Sequence, residues 1–172
     1  DELTAEKALQ LIEVEYEEYG PILTAEDALK KGAVEIHEGT KNILNHTGYE
    51  LGDLERAFRE ADYIFEDEFK TSTVQHCHLE NSISCAYIES DGRIVVISST
   101  QIPHIVRRIV GQALGIPWGK VRIIKPYVGG GFGNKQDAVQ EPLNAFLSLA
   151  IHGRPVKLEY TREECMIGTR VR

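Results

Sequence analysis

Apolar positions along this chain recur first at helical spacing: Ala5, Ala8, Leu9 and Ile12 repeat behind Thr4, a capping residue type, which predicts a helix. "VEYEEY" (14–19) then alternates Val14 and Tyr16 with Glu15 and Glu17, the period of a half-buried strand. Thr24 and Asp27 stand at capping-box spacing ahead of a short helix ending near Lys31 and Gly32. Residues 33–52 keep no period and are rich in turn formers, which predicts a connector. Asp53 can cap a helix carrying Leu54, Ala57, Phe58 and Ala61 on one face, and "YIFEDEF" (63–69) reads as a strand.

The second part is richer in β pattern. "ISCAYIESDGRIVVIS" (83–98) sets two β-rich runs around Asp91-Gly92, the signature of a hairpin whose turn needs positive φ. Pro103 opens and Gly115 closes a helix with Val106, Ile109, Val110 and Ala113 as its apolar stripe. "KVRIIK" (120–125) is a strand, a helix is predicted from about Ala138 to Ile151 with Gly153 as terminator, and "PVKLEY" (155–160) is a last strand. The whole is an α+β pattern with mixed sheets and no internal repeat.

Charge divides the 172 residues unevenly. The net charge is -8, but the first 70 residues carry 19 acidic and 7 basic side chains and the rest carry 8 and 12. The mildly basic second part suits an anionic ligand or an acidic partner surface and is too sparse in Lys and Arg for nucleic acid. No run approaches the ~20 apolar residues of a membrane span, and the first residues lack a signal-peptide pattern, so a cytoplasmic protein without membrane contact is expected. Cys77, Cys85 and Cys165 are an odd number without CxxC spacing, which predicts reduced thiols. His76 and His78 alternate but lack further ligands at metal-binding spacing and are expected in a core or interface.

The most unusual stretch is "GGGFGNKQD" (129–137), four glycines in five positions around Phe132. A strand, glycines and then a helix can turn backbone N–H groups toward an anion or oxo group, and a β-carbon would block the approach. It is neither common nucleotide loop. Gln136 stands where a P-loop needs Ser or Thr, and Asn134 stands where the dinucleotide fingerprint needs its third glycine. A tight bend between strand and helix is the plain alternative, although a plain bend does not need Phe132.

"VGGGFGNK", preceded by "SSTQIP" and "ALGIPWGKVRI" and followed by "GRPVKLEYTREE", resembles the molybdenum-binding subunit of the xanthine dehydrogenase and aldehyde oxidase family of molybdenum hydroxylases. "LIEVEYEEYGPILTAEDALKKG" resembles the closing stretch of that family's α/β hammerhead domain, and "GDLERAFREADYIFEDEF" with "QHCHLE" resembles the start of its molybdopterin-binding domain. The order and spacing match over the whole chain. The resemblance implies residues 1–37 from the hammerhead domain, a linker at 38–52, and the N-terminal part of the molybdopterin-binding domain at 53–172. The form "GGGFGNKQD" with "TREE" and "TRVR" is most similar to bacterial xanthine or hypoxanthine dehydrogenase-like subunits.

On this resemblance the cofactor is a molybdenum–pterin group, in a dinucleotide form, held by its dithiolene and not by protein ligands. Gln101 is implied as amide donor to an oxo ligand, Gly131, Phe132 and Gly133 as the loop approaching metal and pterin, and Gln136 as a substrate contact. Relatives with "GGGFGGKE" carry glutamate at the Gln136 position, so the neutral amide here bears on purine specificity; capping of the next helix beside Asp137 is its structural alternative. Arg107, Arg108 and Arg122 fit either the pterin pyrophosphate or a solvated face. The implied reaction is oxidative hydroxylation of purines or related N-heterocycles, with aldehydes as rival substrates, electrons leaving through iron–sulfur clusters to FAD on other domains or subunits. The general base is expected outside this chain, which alone is expected to be inactive and to self-associate through apolar surface; a separately folded binding or assembly module is the alternative.

Overall fold

A computed structural model describes residues 1–171, which divide after Asp67 into two units. The first holds three short helices: α1 (Glu2–Leu9), α2 (Ala25–Ala28) and α3 (Leu54–Glu60). Their starts follow capping chemistry. Thr24 Oγ1 accepts the Asp27 N–H at 3.0 Å and Asp53 Oδ1 accepts the Arg56 N–H at 2.8 Å. At α1 the cap is Asp1 instead of Thr4, because the Asp1 carboxylate accepts both the Thr4 N–H and its hydroxyl at 2.8 Å. Neither 14–19 nor 63–69 forms a strand. Alternation supplies a strand's side chains but not its hydrogen-bonding partner, and Tyr16 and Phe65 lie exposed.

In the second unit, β1 (Ile83–Ile88) and β2 (Ile94–Ser98) form the expected antiparallel hairpin, with Cys85 opposite Ile97 and Gly92 at φ +79° in its turn. β3 (Val121–Ile124) adds parallel to β2 and β4 (Val156–Glu159) antiparallel to β1, giving one mixed sheet in the order β3-β2-β1-β4. α4 (Pro103–Leu114) crosses over between β2 and β3 and ends on Gly115 in the left-handed region. α5 (Glu141–Ala150) starts three residues later than its apolar pattern suggests. Val106 and Val110 of α4 and Ala145 of α5 pack on Ala86, Ile94, Val96 and Val121 of the sheet, forming the core. A final helix, α6 (Arg162–Gly168), opens on a full capping box between Thr161 and Glu164.

Apart from Ala145 the inner face of α5 is polar, which the apolar pattern does not announce. Glu141, Asn144 and Ser148 are buried and meet partners one by one: Ser98 Oγ donates to Glu141 Oε1 at 2.6 Å, Asn144 Nδ2 to Ser84 Oγ at 2.9 Å, and Ser148 Oγ to the Arg154 carbonyl at 2.9 Å. These three directional bonds fix the helix register on the sheet more tightly than apolar contact alone would, although Asn144 Oδ1 is buried without a partner among the described residues. They thereby fix where the preceding glycine loop ends.

Candidate functional site

The chain leaves β3 and crosses the end of the sheet in the glycine loop before reaching α5. Gly130 and Gly133 sit at φ +98° and +99°, where a β-carbon is strained. Gly129 and Gly131 serve a different need. A β-carbon on Gly129 would lie 2.7 Å from Glu80 Cβ, and one on Gly131 only 2.5 Å from Gln101 Oε1. The glycines therefore let the loop both turn and touch. Its hydrogen bonds use the N–H groups of Gly129, Gly133, Asn134 and Gln136, and leave those of Gly130 and Gly131 without an acceptor among the described residues.

Gln101 follows β2 and is held against this loop at both ends. Its N–H donates to the Lys135 carbonyl at 2.9 Å, and its side-chain Oε1 accepts the Gly133 N–H at 3.2 Å. Once Oε1 is committed, Nε2 remains a pure donor. Gly131, Gly133 and Gln101 are thus brought together, with Gly131 buried. Phe132 lies on the same loop at φ +52°, with its side chain largely exposed. The residues that would cradle an acceptor-bearing cofactor are a side-chain donor and a backbone stretch whose Gly129 and Gly131 leave no room for a β-carbon, and they fit such a group.

Beneath the loop lies a polar layer that the sequence reading did not assign. Asn134 is buried, and its Nδ2 donates to Thr169 Oγ1 and to the Arg170 carbonyl, both at 2.9 Å. Its Oδ1 stands 3.2 Å from His78 Nε2, while His78 Nδ1 faces the Glu80 carbonyl. His78 is buried, in keeping with a core histidine, and its carbonyl accepts from Arg162 at 2.7 Å. Among the described residues no three His, Cys, Asp or Glu side chains are placed to hold a metal ion.

Lys135 is 5% exposed, and its ammonium meets Glu80 Oε2 at 2.5 Å; the same oxygen accepts the Gly129 N–H at 2.9 Å. Burial pushes the Glu80 carboxyl up, but the Lys135 hydrogen bond, the Gly129 N–H, the Lys135 charge and a Ser99 hydrogen bond outweigh it, holding the group below its ordinary value of 4.5. A carboxyl depressed on folding stabilises the fold fully above about pH 4.5, and this stabilisation is lost as pH falls through the depressed value. Denaturation midpoints taken from pH 6 down to about pH 3 are expected to fall less steeply in Glu80→Gln than in the wild type. Identical slopes would show that Glu80 takes no part in acid stability.

Gln136 is exposed in a single 3-10 turn, Asn134–Gln136, and does not cap α5, whose cap position is Gln140. Asp137 instead pairs with Arg170 at 2.9 Å. Arg122 pairs with Glu89 at 3.2 Å, while Arg107 and Arg108 lie exposed on α4. The thiols are free, Cys165 being buried. No helix among the described residues is long and apolar enough to cross a membrane. Of the residues sequence reasoning missed, only Lys135 and Asn134 lay within the quoted glycine motif; Glu80 lay 55 residues from its partner, with no local signal of the pairing.

The loop sets a side-chain donor at Gln101 against glycines whose β-carbons would collide with Gln101 and Glu80. The chain belongs to the molybdopterin cofactor-binding domain family, whose profile matches residues 36–172. It is 52% identical over 172 residues to the xanthine dehydrogenase molybdenum-binding subunit of Escherichia coli O157:H7, covering 100% of this chain and 23% of that protein. It is 38% identical over 159 residues to the nicotinate dehydrogenase large molybdopterin subunit of Eubacterium barkeri, covering 92% of this chain and 37% of the relative. In structure it is similar to the aldehyde oxidoreductase of Desulfovibrio gigas, with a TM-score of 0.85 at 26% identity, over 100% of this chain and 19% of that one. The chain therefore spans well under half the length of these relatives.

Proposed function

We propose that this chain forms part of the molybdenum subunit of a hydroxylase acting on purines or related N-heterocycles. In this reading residues 1–37 close an α/β hammerhead domain, 38–52 link, and 53–172 begin the molybdopterin-binding domain. A bound molybdenum–pterin cofactor, in a dinucleotide form, supplies the redox centre for hydroxylating an electron-poor carbon. Gln101 offers Nε2 to an acceptor atom of that group, Gly131 and Gly133 bring the backbone close, and Phe132 walls the site. Gln136, exposed beyond the loop, reads the substrate edge as donor and acceptor. The remainder of the molybdenum subunit, iron–sulfur and flavin partners and a cytoplasmic setting complete the enzyme.

The observation that carries this reading is the commitment of Gln101 Oε1 to the Gly133 N–H, which leaves the amide nitrogen as the donor. Xanthine, hypoxanthine, nicotinate and simple aldehydes should be assayed on the full-length enzyme alongside its molybdenum content. Stoichiometric metal with turnover of the heterocycles is expected. Turnover of aldehydes alone would move the assignment to aldehyde oxidation, and absence of metal from an enzyme made in a cofactor-producing host would sink it.

A further inference from the structure

Lys135 and Glu80 stand apart from the proposed cofactor contacts, although Lys135 is among the most completely buried charges in the second unit. Glu80 grips the first residue of the loop twice. Its Oε2 accepts the Gly129 N–H at 2.9 Å, and its own N–H donates to the Gly129 carbonyl at 3.0 Å. The ammonium of Lys135, at the far end, meets that same Oε2 at 2.5 Å. The loop from 129 to 135 is therefore closed by one carboxylate oxygen. Lys135 also carries the position of Gln101, because its carbonyl accepts the Gln101 N–H at 2.9 Å and the Thr100 hydroxyl at 3.4 Å.

We infer that the Lys135–Glu80 pair is a positioning clamp: it sets the distance between the two ends of the glycine loop and so holds the Gln101 amide and the Gly131 backbone in register with each other. Lys135 is enclosed while the Glu80 side chain keeps 31% exposure, and an ion pair with a desolvated member is a poor device for stability alone, since neutral replacements of similar volume are often tolerated at little cost. Its use is geometric. A charge-assisted bond is short and directional, and here it ties down a stretch in which four glycines would otherwise leave the backbone free. The inference rests on the cofactor reading for what the clamp presents its atoms to, but not for the clamp itself.

The test uses the full-length holoenzyme with Lys135→Met and with the doubly neutral Lys135→Met/Glu80→Gln, which keeps an acceptor for the Gly129 N–H. Both should retain molybdenum, lose about 10- to 100-fold in kcat as metal sites do when an orienting partner is removed, and keep KM within about twofold. The electron paramagnetic resonance signal of the partly reduced metal should shift, and amide exchange should quicken within 129–136 but not in the β1–β2 hairpin. Wild-type kcat and signal in either variant would overturn the clamp. So would a loss of activity that follows thermal stability and metal content in proportion, with the signal of the remaining metal unchanged. Should the single variant fail to fold, the double variant decides by the same readings. If the wild-type enzyme proves to hold no molybdenum, the cofactor reading fails, and exchange alone then judges the clamp: faster exchange confined to 129–136 keeps it, and unchanged exchange removes it.

Discussion

Gly131→Ala is expected to cost the full-length enzyme about 100-fold or more in kcat, the scale seen when one aligned donor is lost from a reacting centre. The reason is contact and not backbone strain: Gly131 lies outside the positive-φ set, so alanine is allowed there by its dihedral angles. Its β-carbon would lie 2.5 Å from Gln101 Oε1 and 2.7 Å from Cδ, distances that bonded neighbours excepted no pair of such atoms tolerates. The Gln101 side chain must swing away, releasing the Gly133 N–H and losing the orientation of Nε2, or the loop must lift. Either displacement moves the donor array by about an ångström, which is enough to disable a preorganised site.

A second glycine separates this effect from general damage. Gly92 sits at φ +79° in the hairpin turn with nothing within 4 Å of its would-be β-carbon, so Gly92→Ala meets strain without collision. It should lower stability by about 1 kcal/mol and leave kcat unchanged. Measuring kcat, molybdenum content and thermal midpoint for both variants distinguishes the two uses of glycine. If Gly131→Ala keeps kcat within threefold at full metal content, Gln101 is not held as its contacts imply.

What was legible in the sequence was what is encoded locally. The 83–98 hairpin was legible because Asp91-Gly92 carries its own turn chemistry, and α4 was legible because Pro103 and Gly115 bracket one apolar stripe. The same kind of signal at Thr161 and Glu164 opens α6, inside the "TREE" stretch that carries the family resemblance. The stretches at 14–19 and 63–69 misled because a strand exists only with a partner, which alternation cannot supply. α5 shows the opposite limit: its period was plain, but apart from Ala145 its inward face is Glu141, Asn144 and Ser148, while Leu143 and Phe146 are exposed. In the site, the glycine run declared itself by composition. The layer beneath it did not, because Glu80, His78 and Thr169 reach the loop across 35 to 56 residues of chain, and only folding makes them neighbours.

Asn134 is where that non-local layer is most exposed to test. One buried amide joins three segments: Nδ2 donates to Thr169 Oγ1 and the Arg170 carbonyl, and Oδ1 faces His78 Nε2. Removing it in Asn134→Ala leaves these groups without their partner, and the expected loss is about 3 kcal/mol in chemical denaturation, the sum of one or two buried unsatisfied groups. Asn134→Asp is the sharper probe because it keeps the shape. The aspartate places an oxygen where Nδ2 stood, facing the Arg170 carbonyl, so acceptor meets acceptor inside the fold. Its loss should equal or exceed that of the alanine variant, despite the smaller change in volume. An Asn134→Asp protein as stable as the wild type would mean that the amide nitrogen donates to neither group, and that the glycine loop is seated by its backbone bonds, the Gln101 side chain and the Lys135–Glu80 pair. A large loss in both variants would instead make Asn134 the anchor through which the segment after α6 holds the loop, linking stability of the layer to the geometry presented by Gln101 and Gly131.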